Sequence, residues 1–277
     1  MTSSAFVPGA PAVGYDRQGA GPLVVFLHGI GGNRSSWQVQ CAALKNRFTT
    51  VAWDARGYGA SDDYDGPLDF ASFAADLARL LDHLNVEKAH LVGLSMGARI
   101  LMDFYPHHAD RVATLTLCDC FSGFEATLTP EKQQEFISLR QKPLLEGKSL
   151  ADLAPALIAS LVGPNCSDAA KAALHESILA LHVESYLKTI AASVSFDRSN
   201  DMAAVDVPVQ LIYGEHDRLT PPSIGEALLA CLADARLDII EDAGHLSNLE
   251  QPDRFNSVLA GFLDQHAGLA DGPPTPE

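Results

Sequence analysis

Six short apolar runs alternate with amphipathic stretches along this 277-residue chain, and that alternation limits the fold more than any other feature. The runs are Leu23–Leu27, Phe48–Trp53, Ala89–Leu94, Ala113–Cys118, Val209–Tyr213 and Arg236–Ile240. An apolar run closed by a turn reads as a strand buried on both faces, as in a parallel sheet. Between the runs, Phe70 to Leu84 sets Phe73, Leu77, Leu80, Leu81 and Leu84 at helical spacing. Another helix is predicted from Met96 to Tyr105, stopping before Pro106. Pro221–Leu232 and Pro252–Leu263 each open on proline, which suits a first helical turn. The expected class is α/β, a mostly parallel central sheet flanked by helices.

One stretch breaks the alternation. Residues 121–206 contain four helical pieces and no strand signal: Pro130–Gln141, Ser149–Val162, Asp168–Ala180 and Ser185–Val194, punctuated by the Pro143 region, Gly147 and Gly163-Pro164. This reads as a helical insertion between two strands. Residues 1–120 and 207–267 form the two parts of the core, and the Gly/Pro-rich residues 268–277 a loose tail.

Composition narrows the function. Nineteen Lys and Arg stand against 35 Asp and Glu, a net charge of −16. So acidic a chain lacks the basic face needed to bind nucleic acid or to dock on an anionic membrane. No apolar run approaches the roughly 18 residues that span a bilayer, and residues 1–8 carry no secretory-type pattern. The five cysteines are scattered with no CxxC pair, so buried or idle thiols in a cytoplasmic protein are expected, with neither a disulfide framework nor a metal site. No cofactor is implied, and oligomeric state is not legible.

Gly93-Leu94-Ser95-Met96-Gly97 stands directly after one predicted strand and before a helix. A sharp strand-to-helix turn leaves no room for side chains at its flanks, lifts the serine above the sheet edge and aims the following backbone N–H at the same point. Capping of the helix by Ser95 would explain the serine and neither glycine. A serine hydroxyl needs a base at neutral pH. Of ten histidines, His83, His90, His107, His108, His175, His182 and His266 fall in or beside helices and strands, where packing or solvent roles suffice. His245 lies in the loop after the last strand, on the same carboxyl edge of the sheet as Ser95.

The base in turn needs an orienting carboxylate. Glu215 and Asp217 lie in the loop after Val209–Tyr213; Asp217, deeper in the loop, is assigned, with Asp119 at the end of the Ala113–Cys118 strand as its rival. The Met96 N–H and the Ile30 N–H, in His28-Gly29-Ile30-Gly31-Gly32, are the candidate oxyanion donors. The same glycines permit a nucleotide site with Asp54 and Arg56, but the third glycine position of G-x-G-x-x-G holds Arg34, and no phosphate-loop sequence occurs.

These segments resemble the α/β-hydrolase superfamily over nearly the whole chain: His28-Gly29-Ile30-Gly31, the run Asp54 to Ser61, Gly93 to Gly97, Gly214 to Asp217 and Gly244-His245, in the order Ser…Asp…His. The resemblance implies a sheet of about eight strands, a helical cap over 121–206 and a seryl intermediate, with Asp54–Ser61 structural. The run Gly244 to Pro252 is similar to 3-oxoadipate enol-lactonases and to esterase and cofactor-free haloperoxidase relatives. Serine at position 95 argues against dehalogenases and epoxide hydrolases, which use Asp there. Ala98, where many relatives have a second glycine, departs from the pattern.

The expected function is hydrolysis of a small carboxylic ester or lactone through an acyl-enzyme. Carbon–carbon bond hydrolysis of meta-cleavage-type diketones is the rival chemistry, and a hydrolase-like ligand receptor the non-enzyme alternative. Trp37, Phe121, Phe136, Arg140 and Leu246 are expected at the substrate, Arg140 as an anchor for an acidic one. Phe124, Leu139, Ile158 and Val162 are further candidates for the pocket wall.

Overall fold

The computed structural model describes residues 2–123 and 129–273, with the backbone alone at Lys132. Eight strands form one sheet: β1 (Ser3–Val7), β2 (Val13–Gly19), β3 (Leu23–Leu27), β4 (Thr49–Trp53), β5 (Ala89–Leu94), β6 (Val112–Cys118), β7 (Val209–Gly214) and β8 (Ala235–Ile240). The order is β1-β2-β4-β3-β5-β6-β7-β8. From β4 to β8 every pairing is parallel, while β1 and β2 are antiparallel to each other and β2 to β4. All six predicted strands are present within one residue at either end. The β1–β2 hairpin was not expected. Its strands are short and mixed, and β1 is mostly exposed, so neither shows the unbroken apolar run that marks a strand buried on both faces.

Helices cover both faces: α1 (Gln38–Leu44), α2 (Phe70–His83), α3 (Met96–His108), α4 (Pro130–Leu145), α5 (Leu150–Leu161), α6 (Asp168–Leu179), α7 (Val183–Ser193), α8 (Pro222–Leu229), α9 (Ser247–Glu250) and α10 (Pro252–His266). The two-residue period of β3 sorts its side chains between two cores. Leu23, Val25 and Leu27 join the cluster built by α2, α3 and the inserted helices. Val24 and Phe26 face Trp37, Leu44 and the Phe255, Leu259, Phe262 stripe of α10.

Several helix ends differ from expectation: α8 stops at Leu229 rather than Leu232, α10 runs on to His266 rather than Leu263, and two helices continue past a proline. Helix α3 runs through Pro106 to His108, and α4 contains Pro143. A proline in the last turn of α3 costs one backbone bond, and the stacking of His108 on Phe104, 4.5 Å between centroids, keeps that turn closed. Helices α4 to α7 all lie between β6 and β7, and the described residues of 121–206 hold no strand beyond a single bridge, Gly123 to Asp197. The loose tail expected from Gly268 is tied at Asp271, whose carbonyl accepts from Leu23 N and whose N–H donates to Lys88 O. All five cysteines are free, and four are buried. Among the described residues no helix is long and apolar enough to cross a membrane.

Candidate active site

Ser95 sits at the junction of β5 and α3 with φ 53° and ψ −109°, a left-handed conformation costly for a non-glycine residue, on the order of 1–3 kcal/mol. The surroundings enforce it. Its N–H donates to Cys118 O at 2.9 Å and its carbonyl accepts from Arg99 N at 3.1 Å. A Cβ on Gly93 would stand 2.4 Å from the Gly97 carbonyl carbon, and one on Gly97 would stand 2.2 Å from Leu27 O. Both glycines are therefore demanded by close backbone approach. The Ser95 side chain makes no capping bond, and Ser95 is the only residue from 89 to 105 that is not buried. Its hydroxyl is left for something other than the helix.

The loop His28 to Gly32 lies against this turn, so close that a Cβ on Gly29 would stand 3.3 Å from the Ser95 Cβ. Buried His28 fixes the loop: its Nδ1 lies 2.8 Å from Gly29 O, and its Nε2 accepts from Ala55 N at 3.1 Å. Burial, the largest influence on it, lowers the His28 pKa, so the ring is a neutral tether between two loops. The Asp54–Ser61 segment is tied down by its own side chains. Asp54 accepts from Arg34 N and Ala60 N, and Arg56 forms a two-pronged pair with Asp76 at 2.6 and 2.8 Å. Ile30 lines the cavity above Ser95, and Met96 opens α3, where a first-turn N–H has no partner within the helix.

His245 and Asp217 are buried and joined, Nδ1 to Oδ2, at 2.7 Å. Asp217 is held by more than the imidazole. Its Oδ1 accepts from Leu219 N at 2.8 Å and Thr220 N at 3.0 Å, and its Oδ2 accepts the Thr220 hydroxyl. Burial pushes the Asp217 pKa up, but His245 and the Thr220 donors outweigh it and the net shift is downward. Burial likewise pushes His245 down, and the Asp217 bond and charge reverse this, so its pKa is raised. Ser95 lines the same cavity as His245, with no hydrogen bond between the two side chains.

The rival acid has another place. Asp119 accepts from Gly214 N at 2.7 Å and from the Ser247 hydroxyl at 2.6 Å, and makes no bond to His245. Burial, then the charge of Asp217, raises its pKa to about 7. Its own negative charge helps raise His245. Asp119→Asn removes that charge while its amide oxygen can still accept from Gly214 N. The expected result is an acid limb of the kcat/KM profile shifted to lower pH, because His245 then loses its proton more readily. A pH profile of the purified variant checks this; an unmoved or upward-shifted limb contradicts it. Glu215, the other carboxylate of the β7 loop, is exposed and accepts from Asp242 N.

Sequence reading missed Glu250. Its Oε1 accepts from Gly244 N and Leu246 N, and its Oε2 from Gly163 N at 2.7 Å. With His245 N donating to Leu161 O at 2.8 Å, it locks the histidine loop to the α5–α6 connection. The only sequence signal was an acid five residues after His245, among the polar residues Ser247, Asn248 and Gln251.

The inserted helices wall the cavity. Phe121, Phe136, Arg140, Trp37 and Leu246 all line it. Trp37 also packs beneath, 5.0 Å from Phe26 and 6.0 Å from Phe255 between centroids. Leu139 instead is 67% exposed, and Ile158 and Val162 face a neighbouring groove. Leu157 and Leu161, each one position earlier in its turn, face the cavity. A one-residue error rotates a helical side chain by about 100°. Phe124 lies outside the described residues.

A mostly parallel eight-stranded sheet, a serine on a strained strand-to-helix turn and a buried His–Asp couple at the same sheet edge together define the α/β-hydrolase architecture. The chain belongs to the alpha/beta hydrolase family, whose family model matches residues 24–258. It is 27% identical over 245 residues to 3-oxoadipate enol-lactonase 1 of Acinetobacter baylyi, covering 87% of this chain and 88% of that one. Among solved structures it resembles a malate-bound thermophilic esterase from Thermogutta terrifontis, with TM-score 0.84, 25% identity and coverage of 96% of this chain and 99% of the other. It also resembles the enol-lactonase of Burkholderia xenovorans, with TM-score 0.83, 25% identity and coverage of 95% and 100%.

Proposed function

We propose that the protein is a serine hydrolase of small carboxylic esters or lactones, with Ser95 as nucleophile, His245 as base and Asp217 as the orienting acid. The observation that carries this reading is the buried 2.7 Å couple of His245 and Asp217 opening on the cavity that Ser95 also lines. Family membership and likeness to an enol-lactonase and an esterase support ester-bond chemistry.

With Asp217 on Nδ1, that nitrogen carries the proton and Nε2 is free to accept one. Ser95 Oγ attacks the carbonyl carbon as its proton moves to His245 Nε2. The tetrahedral oxygen receives N–H donors from Ile30 and Met96, each worth about 2.7–4 kcal/mol in the transition state. The C–O bond breaks, and His245 returns the proton to the leaving oxygen. Water then gives a proton to His245 and adds to the acyl carbon; Ser95 leaves with that proton, and the acid is released. The Ser95–His245 bond forms when the pair is engaged with substrate.

A panel of p-nitrophenyl esters, small lactones and a meta-cleavage dienoate tests the assignment. Turnover of esters or lactones is expected. Fast cleavage of the dienoate alone makes this a carbon–carbon hydrolase, and tight ligand binding without turnover makes it a receptor.

A further inference from the structure

We infer that Arg99 is the specificity residue of this site, and that the ester or lactone it selects carries a free carboxylate a few carbons from the reacting carbonyl; this rests on the hydrolytic reading above. Arg99 is 3% exposed, stands one turn into α3 from Ser95 and lines the same cavity. On a helix, residues i and i+4 share a face, and side chains lean toward the N-terminus. Its guanidinium reaches Ser193 on α7, at the wall of the cavity that Ser95 also lines. Its charge is also among those acting on His245.

The partners of this cation are incomplete. Its two hydrogen bonds, both to Ser193, are long: 3.3 Å to the carbonyl and 3.4 Å to the hydroxyl. The buried Nε has none. The rings of Phe70, Phe121 and Phe196 surround it, with centroids 5.2, 5.0 and 5.8 Å from Cζ. No Asp or Glu pairs with it among the described residues, and burial, the largest influence on it, lowers its pKa.

Two other partly buried arginines are matched: Arg56 with Asp76, Arg198 with Asp103. In a chain with 35 acidic residues to 19 basic ones, a buried arginine without a carboxylate is the exception. A buried charge is stable only when paired. The guanidinium fork fits a carboxylate through two parallel bonds. The missing partner is therefore supplied by the substrate, held by aromatic walls that shield the pair from water. Arg140, also at the cavity, is spent differently: it stacks 3.6 Å over the Phe136 ring and donates to Phe136 O, on a less buried helix.

The test compares kcat/KM for monomethyl and dimethyl esters of malonate, succinate, glutarate and adipate in the wild type, Arg99→Gln, Arg99→Lys and Arg140→Gln. The free diacids serve as competitors of p-nitrophenyl acetate hydrolysis and as ligands in calorimetry. The wild type is expected to prefer one monoester over its diester by roughly 10- to 100-fold, the size of a charge-assisted bond. The matching diacid should compete. Arg99→Gln should remove both preference and competition, Arg99→Lys should restore part of each, and Arg140→Gln should change the preference less. Equal wild-type rates with no diacid binding overturn the inference whether or not the Arg99 variants fold. So does an Arg99→Gln variant that keeps the preference. Diacid binding that depends on Arg99, in a protein that turns over no ester, leaves the arginine site standing and refutes the hydrolytic reading alone.

Discussion

Ser95→Ala is expected to lower ester turnover by about a million-fold, to the residual rate that binding and oxyanion contacts alone would sustain. The size follows from the mechanism. Without Oγ there is no acyl-enzyme, and the remaining route is direct attack by water in a site shaped around a different nucleophile. The fold should be spared. Ala retains the Cβ, and the strained turn is fixed by the Cys118 and Arg99 backbone bonds and by Gly93 and Gly97, none of which involves the hydroxyl. Turnover of p-nitrophenyl acetate beside a thermal melt checks both halves. An unchanged rate with an unchanged melt places the chemistry elsewhere.

Asp217→Asn should cost about 10⁴-fold in kcat. The amide oxygen can keep the Leu219 and Thr220 N–H bonds now made by Oδ1, which turns the NH2 toward His245 Nδ1. That nitrogen must then accept, the proton moves to Nε2, and the base faces Ser95 in the wrong tautomer. Asp119→Asn leaves the His245–Asp217 couple whole and should retain most turnover at its own optimum. Paired kinetics of the two variants check the assignment; loss of turnover in the Asp119 variant alone reverses the roles.

The parallel strands and their loops could be read from sequence because burial on both faces writes a continuous apolar run, and because two glycines are the only residues that fit around Ser95. Helical spacing placed α2, and an opening proline marked the start of α10. The β1–β2 hairpin escaped because an exposed edge imposes no such run. Among the groups of the proposed active site, Ser95, His245 and Asp217 announce themselves by position at strand ends. Arg99 and Glu250 do not. Their meaning depends on who stands beside them: an arginine in an apolar helix is unremarked until its missing carboxylate is seen, and Glu250 until its three N–H donors are. The cavity wall was misread by single residues on α5, since Leu157 and Ile158 look alike in a sequence and face different spaces.

The most direct measurement is the intact mass of the protein after a small fluorophosphonate, followed by peptide mapping. The mechanism predicts one added phosphonyl group, on the peptide bearing Ser95, absent in Ser95→Ala and strongly slowed in Asp217→Asn. An unmodified protein that nonetheless hydrolyses esters, or a group carried on any other residue, contradicts it.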